Sequence, residues 1–98
     1  MYNINDRGKL TENIKTASKI RLGEEISQTE LRLYAYIDYC LKNGGHIDPR
    51  KISTEEKAII EKRKNQGHIF VRTDGITTVT RPFYDFMQDV LADAYVLF

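Results

Sequence analysis

The chain has 98 residues, 41% apolar and 30% charged, with a formal net charge of +1. This is one domain's length of globular composition, and it excludes collagen, coiled coil, disulfide-framed miniprotein and membrane protein. A single cysteine, and an N-terminus, MYNINDRGKL, with no apolar stretch after a basic start, lead to the expectation of no secretory signal and a reducing, cytoplasmic location.

Leu10, Ile14, Ala17 and Ile20 recur at spacings of four, three and three, which predicts a helix over 9–20 with one apolar face. Gly23 follows its end. Ser27-Gln28-Thr29-Glu30 is a capping-box signature, in which the serine oxygen accepts from the Glu30 amide and the Glu30 carboxylate reaches back. Ile26 and Leu31 stand at the two positions of a hydrophobic staple. Leu31, Leu33, Tyr34, Ala35, Ile37, Cys40 and Leu41 then leave little polar surface, so this helix is expected at the centre of the domain. Arg32, Asp38 and Lys42 are its residues that need water, and Asn43-Gly44-Gly45 is its left-handed stop.

Residues 46–52 read as a loop, because Pro49 biases Asp48 away from helix. Ser53-Thr54-Glu55-Glu56 is a second capping box, opening a helix to about Gln66. Its apolar stripe is thin (Ala58, Ile59 and Ile60), which places it on the outside, and Gly67 closes it. The runs 68–72 and 76–80 are β-branched and aromatic, and Thr73-Asp74-Gly75 between them predicts a hairpin. Pro82 suits the first turn of a final helix whose stripe is Phe83, Phe86, Met87, Val90, Leu91, Ala94 and Leu97. The expected fold is a single domain over 1–98, mostly α with one β-hairpin, in the order α-α-α-β-β-α.

From Ser53 onward the chain resembles the second half of a winged-helix domain. The resemblance rests on STEEKAIIEKRKNQGHIFVRTDGITTVTRPFYDFM: a capped helix, a glycine and an apolar residue, a two-stranded wing, then a threonine leading into a closing helix. It covers 53–98. It implies a winged-helix-like fold in which helix 53–66 enters a DNA major groove and the hairpin lies along the backbone. The chain departs from the pattern before Ser53, where seven residues including a proline stand in place of a short helix and tight turn.

Charge is segregated along the chain. Residues 1–82 hold all fifteen bases and eleven acids, whereas 83–98 hold Asp85, Asp89 and Asp93 and no base. Within 50–72 there are seven bases against three acids. On the winged-helix resemblance, Lys62, Arg63, Lys64, Arg72 and Arg81 are the phosphate contacts, and Arg50 and Lys51 join them. Thr54 and Lys57 fall near the helix N-terminus, where such helices read bases. Each cation has an ordinary alternative: Lys62-Arg63-Lys64 complement a helix C-terminus, and Arg72 and Arg81 suit solvated salt bridges.

No catalytic constellation is expected, and no cofactor or metal. His46 and His68 lie 22 residues apart without a cysteine or acid pair at ligand spacing. Asp85 and Asp89 share a helix face without a histidine, and Cys40 reads as a small core residue. Two features point to association. Ala94-Tyr95-Val96-Leu97-Phe98 is contiguously apolar, and Tyr34, Tyr36 and Tyr39 span more than one face of the central helix. Ala94, Tyr95, Leu97 and Phe98, with Tyr36 and Tyr39, are therefore expected in an interface, most simply a homodimer. Two functions follow. One is a small regulatory protein binding double-stranded DNA through a basic helix and wing. The other is a non-enzymatic module or small inhibitor docking on another protein through its tyrosine-rich and C-terminal apolar surfaces.

Overall fold

The computed structural model describes residues 9–95. Their elements follow the expected order: α1 (Glu12–Leu22), α2 (Gln28–Lys42), α3 (Thr54–Asn65), β1 (Ile69–Val71), β2 (Thr77–Val79) and α4 (Arg81–Tyr95). Among the described residues no helix is long and apolar enough to cross a membrane.

Helix α1 starts at Thr11, whose Oγ1 accepts from the Ile14 amide at 3.1 Å and donates to Asp93 on α4. It ends at Gly23, φ +82°, whose N–H returns to the Lys19 carbonyl. Its buried face differs from the expected one. Ile14 and Ser18 are buried and Ile20 is 77% exposed. Six residues beyond Ile14, Ile20 stands about 120° around the helix from it, whereas Ser18 and Arg21 fall on the Ile14 side. Ser18 satisfies its hydroxyl by donating to the Ile14 carbonyl at 2.7 Å. The Arg21 guanidinium lies 5.5 Å from the centre of the Phe86 ring and pairs with Asp89 at 2.6 Å.

The core lies where α1, α2 and α4 meet. Helix α2 buries Leu31, Leu33, Tyr34, Ile37 and Cys40, and α4 buries Phe83, Phe86, Met87, Val90 and Ala94. The Tyr34 ring meets Phe83 and Phe86 edge-on, at 5.6 and 6.0 Å between centroids, a favoured arrangement for ring quadrupoles. Ile60 of α3 and Ile69 of β1 join the same cluster. The expectation that residues 94–98 face a second copy is corrected at its start. Ala94 is buried in this core and Tyr95 packs against it. Leu97 and Phe98 lie outside the described residues. Tyr36 is half-buried, and its hydroxyl accepts from the Asp48 amide within the chain at 3.1 Å. Among the described residues of this group only Tyr39 is openly exposed, at 60%.

The 46–52 segment is more ordered than a plain loop. Asp48 caps a short 3-10 turn, Pro49–Lys51. His46 bridges Ile76 in antiparallel fashion, and the Thr77 N–H donates to the Gly45 carbonyl at 2.7 Å. Gly45 has φ +83°, and a Cβ there would stand 2.8 Å from Cγ2 of Ile76, so only glycine fits this approach. The hairpin pairs Ile69 with Val79, Phe70 with Thr78 and Val71 with Thr77. Its loop closes with the Gly75 N–H on the Arg72 carbonyl at 2.9 Å and Gly75 at φ +87°, the three-residue type with a left-handed glycine.

Candidate nucleic-acid interface

Helix α3 begins with a complete capping box. The Ser53 amide donates to Glu56 Oε1 at 2.8 Å, and the Glu56 amide donates to Ser53 Oγ at 3.1 Å. Its end carries the three successive cations expected to contact phosphate. Consecutive residues on a helix point about 100° apart, so the three cannot share a face. They diverge: Arg63 turns to the interior, Lys62 to Glu24, which Arg63 also approaches at 3.6 Å, and Lys64 to Glu61.

Arg63 is fully buried, with 0% exposure, and is therefore corrected from phosphate contact to interior residue. Its Nε and Nη2 donate to the two carboxylate oxygens of Glu30, at 2.7 and 2.9 Å, and its Nη1 donates to Gln66 Oε1 at 2.7 Å. The Tyr34 hydroxyl also donates to Glu30. Burying a charge is costly unless it is paired and hydrogen-bonded, and this set leaves no buried side-chain polar atom unpartnered among the described residues. Burial works against the guanidinium charge, but the Glu30 hydrogen bonds and charge outweigh it and hold Arg63 above its ordinary pKa. Burial, then the Glu30 charge, push the Tyr34 hydroxyl far up. The serine cap of α2 still accepts from the Glu30 amide at 3.0 Å. The Glu30 carboxylate does not complete that box, because it is committed to Arg63 and Tyr34.

Lys62 turns toward the α1–α2 connection and pairs with Glu24, whose carboxyl that hydrogen bond holds below the ordinary range. Lys64 pairs with Glu61 at 3.1 Å and lines a groove of about 300 Å³ between α3 and the hairpin. Ile47, Ile52, Ile60 and Val71 supply the groove's apolar wall, and Lys57, Glu61 and Lys64 its charged one. Thr54 is exposed on the first turn of α3. Arg50 and Lys51 sit in the 3-10 turn just before Ile52, and Arg72 follows Val71. Arg50 is held by Asp48 at 3.1 Å and Arg72 by Asp74 at 3.0 Å, while Lys51 and Lys57 form no ion pair. The Arg50 side chain, then its amide, lower the Asp48 pKa. Phe70, on the opposite face of β1 from Val71, is 50% exposed.

Of the expected contacts, Lys57 and Lys64 line this groove, whereas Arg50, Lys51, Thr54 and Arg72 stand next to its lining residues in the chain without lining it. Arg81 lies elsewhere. It pairs with Asp85 at 3.0 Å and lines a wider depression of about 430 Å³ with Leu41, Gly44, Gly45 and Tyr84, on the α2–α4 side of the hairpin. His68 stacks on Phe83 at 5.1 Å, and burial, then Arg63, lower its pKa. Among the described residues no three of His, Cys, Asp and Glu gather as a metal site. Comparison with protein-family models, curated proteins and solved structures finds no match to this chain.

Proposed function

We propose that the protein is a small, winged-helix-like nucleic-acid-binding protein that meets duplex DNA with the face formed by α3 and the hairpin. The supporting observation is the pair of lysines, Lys57 and Lys64, that line the groove, with Arg50, Lys51 and Arg72 exposed on the segments that flank it in sequence. Lys51 and Lys57 are unpaired, and Arg50, Lys64 and Arg72 are held only by exposed ion pairs. Such pairs are each worth less than about 1 kcal/mol, so a phosphate can displace the carboxylate at little cost. Glu55 and Glu61 stand on the same helix and hold down the net positive potential, so non-specific affinity is expected to be modest. Phosphate contacts position the protein, and Thr54 and Lys57 are the residues of α3 placed to meet base edges.

The test is fluorescence anisotropy with random-sequence duplex across a range of salt concentrations. Each phosphate contact contributes about 0.9 to the slope of log affinity against log salt, so Lys51→Ala/Arg72→Ala should lower the slope by roughly 1.8. Absence of binding at low salt would overturn the proposal. A second reading, docking on another protein, draws on the apolar half of the groove and on half-exposed Phe70. It expects Val71→Asp to abolish capture of that partner, and binding that salt barely affects.

A further inference from the structure

We infer that Glu30 and Arg63 form a positioning pair that sets the rotation and tilt of α3, and with them the aim of Lys57 and Lys64. The inference rests on the proposed use of the α3 face on DNA. Only two α3 side chains are buried, Ile60 and Arg63, one turn apart on the same side of the helix. The seat of α3 on the domain is therefore Ile60, with half-buried Ile59 beside it, and one guanidinium. An aliphatic contact is non-directional and leaves a helix free to roll about its own axis. A two-point guanidinium–carboxylate fork is planar and fixes direction as well as distance. Here the carboxylate is itself held by the Tyr34 hydroxyl, and Gln66 takes the remaining guanidinium nitrogen. Buried ion pairs are poor stabilisers compared with apolar residues of similar volume, so orientation is the property this pair supplies beyond what an apolar pair would.

The pair touches no solvent-facing cation of the groove, so its effect on DNA is indirect and separable from stability. The informative variant is Glu30→Leu/Arg63→Met, which removes the fork while keeping an apolar seat. It should melt within a few degrees of the parent. Its affinity for random duplex at about 50 mM salt should fall about ten-fold, and its salt slope by at least the 0.9 or so of one contact, although it removes no solvent-facing charge. A merely structural role, which lowers only the folded fraction, would leave the slope unchanged. Arg63→Lys, which keeps the charge without the fork, should share the defect.

Spin labels at exposed positions 32 and 58, introduced as Arg32→Cys and Ala58→Cys with Cys40→Ala, report the α2–α3 geometry without DNA. Their distance distribution should shift or broaden in the double variant. A folded variant with the parental slope, affinity and label distances overturns the inference. If the parent does not bind duplex at all, the nucleic-acid proposal fails, and parental label distances would still refute the positioning role on their own.

Discussion

The chain starts two helices with nearly the same words, Ser-Gln-Thr-Glu at 27–30 and Ser-Thr-Glu-Glu at 53–56, and the structure uses them differently. At α3 the box closes in both directions, Ser53 to Glu56 and back, on the surface. At α2 only the serine half forms, and Glu30 turns inward to Arg63 and Tyr34. The capping signature specifies where a helix begins. It does not specify where its glutamate goes, because that depends on what the third position faces once the helix has packed. Glu56 faces water and has only its own backbone to satisfy. Glu30 is buried beside a buried arginine, and a charged partner in a low-dielectric interior outbids a backbone amide.

Removing each glutamate breaks the symmetry most sharply. Glu30→Ala leaves the buried Arg63 guanidinium only Gln66 and a 3.6 Å approach to Glu24, and should cost about 3 kcal/mol, read from urea unfolding. The paired replacement Glu30→Leu/Arg63→Met should recover most of that loss. Glu56→Ala should cost no more than about 1 kcal/mol, since the amide it leaves is solvated. If Glu30→Ala and Glu56→Ala were equally mild, the interior role assigned to Glu30 would be wrong. The serines sharpen the comparison from the other side. Ser27→Ala and Ser53→Ala each remove one cap and should cost similar amounts, about 1 kcal/mol, because that half of the box is common to both.

The smallest effect belongs to His68, beside the same arginine. Its folded-state pKa lies below the ordinary 6.5 through burial, then the Arg63 charge, so the unfolded chain binds the proton more readily. The stability it contributes is complete above pH 6.5 and is lost as the pH falls from there through the folded-state value. His68→Gln should flatten the dependence of the melting temperature on pH across that window. An unchanged slope would assign the acid sensitivity to other groups.

Element order was legible in the sequence because caps, glycine stops and the Asp-Gly turn are local signals read from neighbours. The buried face of α1 was not fully legible: helical spacings of three or four let either Ala17 and Ile20 or Ser18 and Arg21 continue from Ile14, and only packing against α4, where Arg21 lies over Phe86, decides. The candidate site divides in the same way. Lys57 and Lys64 line one groove, as a basic segment implies. Arg63 could not be told from its neighbours, since its role depends on Glu30, 33 residues earlier in the chain. A faint signal did exist: Glu30 precedes Tyr34 by four positions and Ile37 by seven, which places a carboxylate on the apolar stripe of the central helix.

The tie between Gly45 and the hairpin has a consequence for how the molecule opens. The Thr77 N–H reaches the Gly45 carbonyl and Ile76 bridges His46, so the second strand is fastened to the segment that precedes α3 as well as to the first strand. All of α3 lies inside the loop that this fastening closes. The hairpin cannot peel away as an independent flap while that contact holds, and α3 cannot swing off the domain without straining it. Helix and hairpin are therefore expected to open together, which amide exchange would show as a shared timescale instead of one fraying after the other.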